Sequence, residues 1–178
     1  MNQRFNVRPL LVQSGMTLKP KALLIHGFLG AGKTTFAKRL ERDEKAIRFT
    51  HDEWMSHLYG DDPPVERFQD YKRRASEVME GVWTRCLDLG MNVVLDSGFW
   101  SREERDQTRA LVARHGGEAV IYRLNCAEDI ARKRIEQRNQ ALAGSLYIAP
   151  NTFEMLKPRF EPLGQDEPRI EIDSHDPI

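Results

Sequence analysis

Apolar positions in this chain follow two rhythms. Short unbroken runs, such as Ala22-Leu23-Leu24-Ile25 and Ala119-Val120-Ile121-Tyr122-Arg123-Leu124, alternate with longer stretches in which apolar residues recur every three or four positions. Unbroken runs bounded by turn residues suit strands buried on both faces, and the wider spacing suits amphipathic helices. The pattern predicts a first strand over roughly 21–26, then a helix to about Asp43, then a short strand Ile47-Arg48-Phe49-Thr50. Asp61-Asp62-Pro63-Pro64 breaks the chain. From Val65 to Leu89, the positions Val65, Phe68, Tyr71, Ala75, Val78, Met79, Val82 and Leu89 predict one long helix, stopped by Gly90. Met91-Asn92-Val93-Val94-Leu95 reads as the third strand. Ser101 reads as an N-cap, with Glu103 and Glu104 in the first turn of a helix that runs to about His115. Gly116-Gly117 stops that helix, the fourth strand follows over 119–124, and a charged helix spans about 127–141. A loop over 144–150, a short helix from Asn151-Thr152-Phe153 to near Pro158, and a fifth strand Arg169-Ile170-Glu171-Ile172 complete the pattern. Strands alternating with helices predict an α/β fold of three layers, with a five-stranded parallel sheet covered on both faces.

Composition narrows the picture only a little. The 178 residues suffice for one domain with a substantial core. Residues 1–20 lack the apolar core of a signal peptide and read as an extension, which need not be ordered, ahead of a single domain over 21–178. Basic and acidic residues balance at 27 each, which argues against a dedicated nucleic-acid binder while leaving a local basic groove open. Two cysteines, Cys86 and Cys126, suggest no disulfide framework and a reduced, cytoplasmic setting. No run approaches the roughly 18 apolar residues that span a bilayer, so a membrane partner is not expected.

Chemistry enters at Gly27-Phe28-Leu29-Gly30-Ala31-Gly32-Lys33-Thr34. This octapeptide fits G-x-x-x-x-G-K-[ST], between a strand and a helix, as a phosphate-binding P-loop requires. Glycines let successive backbone N–H groups turn inward onto phosphate oxygens, and the following helix directs its positive end at the same anion. Lys33 can reach the β- and γ-phosphates, and the Thr34 hydroxyl can hold Mg²⁺. The nucleotide-binding set is therefore Gly27, Phe28, Leu29, Gly30, Ala31, Gly32, Lys33, Thr34 and the adjoining Thr35.

In open parallel sheets, ligands bind at the carboxyl ends of the strands. His51-Asp52-Glu53-Trp54 follows the second strand, and Asp96-Ser97-Gly98-Phe99-Trp100 follows the third. Asp52 suits a base that accepts the proton of an attacking hydroxyl, and equally an N-cap on the helix that Glu53-Trp54-Met55 begins. His51 reads as a surface or packing residue. Asp96 suits a carboxylate that positions Mg²⁺ or contacts the acceptor, and the two aspartates can exchange these roles. Arg134 and Arg138 lie four apart on one helix face, where guanidinium forks can answer charge on a transferred phosphoryl group. Arg102 and Arg105 can reach an anionic group on the acceptor or the nucleotide, or simply lie exposed on their helix. Trp54, Phe99 and Trp100 can stack on a ring or belong to the core.

With these residues in place, the chain resembles the P-loop kinase-like AAA family ATPases. These are related to the 5′-kinase domain of polynucleotide kinase, to chloramphenicol phosphotransferase and to zeta toxins. The resemblance runs from Lys21 to about Asp173. It rests on Gly27 to Thr34, Thr50-His51-Asp52, Val93-Val94-Leu95-Asp96, Ser101-Arg102-Glu103-Glu104-Arg105, and Arg134 with Arg138. Phe160-Glu161-Pro162 and Asp166-Glu167-Pro168 look like the C-terminal signature of the family. The alternation resembles nucleoside-monophosphate kinases. The resemblance implies a P-loop NTPase fold with a small lid, about 139–150, that uses ATP and Mg²⁺. Asp52 would match the family's base, Asp96 its third-strand acid, and Arg134 or Arg138 its lid arginine. Two departures weaken a polynucleotide-kinase reading: there is no strongly basic stretch and no phosphatase-like second domain.

The leading expectation is a kinase that transfers the γ-phosphate of Mg·ATP to a hydroxyl of a small molecule. Its catalytic set is Lys33, Asp52, Arg134 and Arg138, with Thr34 and Asp96 on the metal. Asp52, Asp96, Arg102 and Arg105 face the acceptor. A polynucleotide 5′-hydroxyl kinase and a regulatory ATPase without an acceptor are the alternatives. The absence of an Asn-Lys-x-Asp motif favours ATP over GTP.

Overall fold

The computed structural model describes residues 18–141, 147–149 and 151–174. Five strands form one parallel sheet: β1 (Lys21–His26), β2 (Ile47–Thr50), β3 (Val93–Gly98), β4 (Glu118–Asn125) and β5 (Ile170–Asp173). Their order across the sheet is β2-β3-β1-β4-β5. From β1 the chain crosses outward to β2, returns to β3, then passes β1 to β4. The connections therefore leave β1 and β3 in opposite directions, and the crevice between their carboxyl ends is where such sheets bind ligands.

The central strands β1 and β3 are mostly buried on both faces because both faces are covered. Ala22 and Leu24 of β1 join Met79, Trp83 and Leu87 of α3 (Val65–Asp88) and Val112 of α4 (Arg102–Arg114) in one core. Leu23 and Ile25 point the other way, onto Phe36, Ala37 and Leu40 of α1 (Lys33–Asp43). Side chains alternate along a strand, so an unbroken apolar run feeds two cores at once. Removing one of these fully buried leucines by Leu→Ala would cost about 2–5 kcal/mol. A third cluster joins Ala131 and Ile135 of α5 (Glu128–Ala141) to Ile148 and Phe153, the latter on α6 (Thr152–Leu156), with Phe28 and Leu29 of the P-loop against them. A 3-10 turn, Lys157–Arg159, follows α6. The remaining helix, α2 (His51–Tyr59), begins directly at the end of β2 and packs on α3. No helix among the described residues is long and apolar enough to cross a membrane.

Two elements differ from the sequence reading. The third strand starts at Val93 and runs to Gly98 rather than over 91–95. Met91 N–H is spent on Cys86 O at the end of α3. The Asn92 side chain bridges Lys21 N–H and Glu44 O. At the other end the ladder continues, with Asp96 opposite Thr50 and Gly98 opposite His26. The apolar stripe of α3 is also turned. Ala75, Met79, Trp83, Cys86 and Leu87 are buried, whereas Val65, Val78 and Leu89 are 89%, 58% and 77% exposed. Most of the proposed 1–20 extension lies outside the described residues, as do 142–146 and 150 of the proposed lid. Within the lid stretch, α5 continues to Ala141, and the Asn139 side chain holds Ile148 by two hydrogen bonds, to its N–H and its carbonyl.

Candidate active site

The loop from Gly27 to Gly32 joins β1 to α1 and lies over the switch point of the sheet. Gly30 has φ +73°, and a Cβ there would stand 2.3 Å from the Ala131 carbonyl oxygen. Only glycine lets the loop rest directly on the backbone of α5. Lys33 Nζ donates to Phe28 O at 2.9 Å across the loop. Burial holds the Lys33 ammonium below its ordinary pKa, and Arg138 adds to that; Asp96 and Asp52 pull the other way. Thr34 Oγ1 donates to Asp96 Oδ2 at 2.8 Å. Asp96 is buried, and desolvation raises its pKa against the opposing pull of Lys33 and the Thr34 bond.

Asp52 is the second residue of α2 and is exposed. Thr50 occupies the N-cap position and makes no side-chain cap bond, so Asp52 is not the cap. Its charge is felt by Lys33, Asp96 and Arg138. Arg138 reaches the same place from α5. Its Nε and Nη2 are buried and have no hydrogen-bond partner among the described residues, and burial lowers its pKa. Two cations and two carboxylates thus surround the mouth of the P-loop. Arg48 of β2, fixed by Glu41 and Glu53, adds a third positive field on Asp96.

A supporting layer holds this cluster. Trp100 Nε1 donates to Gly27 O at 3.0 Å, tying the turn after β3 to the first P-loop residue. Gly98 has φ +84°, and a Cβ there would stand 2.7 Å from Trp100 Nε1. Phe99 adopts φ +48°, a strained conformation for a bulky residue. Its carbonyl accepts from His26 Nδ1 at 2.9 Å and Arg105 Nη1 at 3.1 Å. His26 is fully buried and stacks on Phe160 with centroids 4.7 Å apart; burial lowers its pKa to about 4. Arg105 is fully buried and pairs with Glu167, Nε–Oε1 2.8 Å and Nη2–Oε2 2.9 Å. That pairing lowers the Glu167 pKa to about 2. Beside this charged cluster, a pocket of about 370 Å³ opens between α3 and α4, with His51 and Ser97 in its lining.

This arrangement can be set against known proteins. Residues 23–163 match the family described as AAA domain. The chain belongs to the AAA domain family. The fold of this AAA-domain protein is that of P-loop kinases. It superposes on a provisionally assigned kinase from Chloroflexus aurantiacus j-10-fl with a TM-score of 0.71, at 19% identity over 88% of this chain and 89% of that one. A chain of the Pnkp1/Rnl/Hen1 RNA repair complex gives 0.68 at 20% identity, over 82% of this chain and 45% of that one. A sugar kinase from Janibacter sp. HTCC2649 gives 0.62 at 16% identity, over 89% and 87%. No curated protein matches the sequence.

Several site residues of the AAA-domain protein stand elsewhere than the sequence suggested. Lys33, Thr34, Asp52, Asp96 and Arg138 converge, whereas Arg134 does not. Its Nη2 donates to Ser174 O at 2.7 Å and its Nη1 to Cys126 Sγ at 3.7 Å, which ties α5 to the end of β5. Arg102 and Arg105 are not free to hold an acceptor. Arg105 is spent on Glu167, and Arg102 on Asp106 and both carboxylate oxygens of Asp166. His51, read as a surface or packing residue, is half-buried and lines the pocket. Of the three aromatics, Phe99 lines the pocket, Trp100 braces the P-loop and Trp54 packs near Phe49. Sequence reasoning passed over Arg48, His26 and Trp83; a polar residue inside or at the end of an apolar strand was the available signal for the first two.

Proposed function

We propose that the protein transfers the γ-phosphate of Mg·ATP to a hydroxyl of a small molecule. The observation that carries this reading is Arg138: buried guanidinium donors without an acceptor among the described residues, in electrostatic reach of Lys33 and of Asp52. Buried donors require a partner, and a phosphate that arrives with the nucleotide fits their planar fork. The P-loop amides and Lys33 hold the β- and γ-phosphates. The Thr34 hydroxyl and the Asp96 carboxylate are hard oxygen donors in contact with each other, which suits Mg²⁺ bound mainly through nucleotide phosphates. When bound, that ion neutralises charge on the phosphates. Asp52 accepts the proton of the attacking hydroxyl, and Arg138 answers charge on the transferred oxygens.

The test is transfer of label from γ-labelled ATP into pooled metabolites, with a 5′-hydroxyl oligonucleotide as a parallel acceptor. Asp52→Asn should lower transfer by about 10²–10⁴-fold and leave nucleotide affinity nearly unchanged. Label passing only to the oligonucleotide would establish the polynucleotide reading instead. Phosphate release untouched by Asp52→Asn, with no labelled acceptor, would replace the kinase by a regulatory ATPase.

A further inference from the structure

The pocket between α3 and α4 adjoins the charged cluster through neighbouring residues. Asp52 acts on the P-loop while His51 lines the pocket. Side chains alternate along β3, so Asp96 meets Thr34 and Ser97 lines the pocket. An acceptor held there would present a hydroxyl at the seam between the two. At about 370 Å³ the pocket is of the size that takes a small metabolite.

Its charges are one-sided near that seam. Glu104 lines it, half-buried, with its carboxylate accepting backbone N–H bonds from Trp100 and Ser101. No guanidinium or ammonium among the described residues lies within ion-pair distance of Glu104; Lys72 and Arg105 act on it only through space. Burial holds the Glu104 carboxyl above its ordinary pKa. A second carboxylate in the lining, Glu80, makes no ion pair among the described residues either. The arginines near the start of α4 form their ion pairs elsewhere. Arg102, Arg105 and Arg109 are consumed by Asp106, Asp166 and Glu167. One guanidinium, Arg114, remains in the lining. It lies ten residues further along α4, about 15 Å of helix axis from Glu104. The rest of the wall mixes hydroxyls, Ser76, Ser97 and Thr108, with the aromatic rings of Trp83 and Phe99.

Near the seam such a wall repels a phosphate or carboxylate on the acceptor, and its one guanidinium fork, Arg114, stands at the far end. An ammonium finds a desolvated carboxylate, and hydroxyls find the serines and threonine. We propose that the acceptor is a hydroxylated amine, such as an amino sugar or aminocyclitol, with its ammonium against Glu104 and one hydroxyl presented to Asp52. This rests on the kinase reading above. In the step, the acceptor oxygen forms a bond to the γ-phosphorus while the bond from that phosphorus to the bridging oxygen of ADP breaks. ADP keeps the electron pair, and the acceptor proton passes to Asp52.

The experiment titrates matched ligands into protein saturated with a non-hydrolysable ATP analogue and magnesium. Glucosamine is compared with glucose and glucose 6-phosphate, and streptamine with inositol and inositol 1-phosphate. The variant is Glu104→Gln, because a glutamine oxygen keeps the N–H acceptor at the start of α4 and the fold with it. At least one amine should bind tenfold or more tightly than its neutral and phosphorylated counterparts. Glu104→Gln should abolish that preference and leave the neutral ligand unchanged. Equal or tighter binding of a phosphorylated or neutral counterpart, a preference that survives Glu104→Gln, or no binding of either amine would overturn the proposal. Because binding is read without turnover, the two readings fail separately. Glu104-dependent amine binding without label transfer would sink the kinase reading alone, and label transfer to a sugar phosphate would sink this one alone.

Discussion

Arg134 and Arg138 stand one turn apart on α5, and that turn separates a brace from a candidate catalytic group. Arg134 bonds the carbonyl of Ser174, whereas Arg138 carries buried donors without a partner among the described residues. Arg138→Ala should lower the transfer rate by about 10²–10³-fold, as loss of a preorganised donor does elsewhere. Arg134→Ala should reduce the rate far less and instead lower the urea midpoint. Steady-state kinetics and urea melts on both variants decide this, and equal losses of rate would undo the distinction. Single residues were legible in the sequence where chemistry and position coincide. Thr34 and Asp96 are named by the P-loop pattern and by an acid ending an apolar strand. Arg102 and Arg105 were not legible, because their partners Asp166 and Glu167 lie more than sixty residues on. A local pattern shows a charge and leaves its partner unknown.

At the scale of elements, the segment from Phe160 to Pro168 binds α4 and the turn after β3 together. Glu161 N–H bonds Trp100 O, Glu161 Oε2 accepts from Arg102 N–H, and Glu167 receives Arg105 and Arg109. The weight of this clamp should fall on Glu167. Glu167→Ala strands a buried guanidinium and should cost about 3–5 kcal/mol. Asp166→Ala breaks only an exposed, solvent-screened pair and should cost far less. Urea unfolding of the two variants measures the contrast, and equal costs would refute it. The elements themselves were mostly readable, since strand runs and the Ser101 cap, which accepts from Glu104 N–H, are local features. The phase of α3 was not. Valines at 78 and 82 fit a helical period as well as Met79 and Trp83 do, and only the sheet beneath chooses between them.

For the whole molecule, pH acts through buried groups, among them His26, Glu167 and Asp96. His26 titrates near 4 when folded and near 6.5 when unfolded. Between those values the unfolded chain binds a proton that the native protein does not. Stability therefore falls as pH falls from 6.5 towards 4, by about 3 kcal/mol from this group in order of magnitude. Glu167 continues the loss below pH 4.5 towards 2, where its depressed carboxylate is protonated at last. Asp96, with its raised pKa, works in the opposite sense, so the informative quantity is a difference between proteins. His26→Asn, whose amide can still donate to Phe99 O, should flatten the upper window and spare the lower one. Unfolding free energies at several pH values check this; an unchanged slope between pH 6.5 and 4 would remove His26 from the account.

The rings beneath the P-loop bear on how the protein is made. Phe28 lies against Phe153 and Phe160, with centroids 4.9 and 5.3 Å away, and Phe160 also covers His26. Once a ribosome has synthesised residues 1–150, Lys33, Thr34, Asp52, Asp96 and Arg138 all exist. The rings that pack against the P-loop do not. On the function proposed above, a chain that stops near residue 150 would carry the proposed catalytic groups without the aromatic backing of the loop.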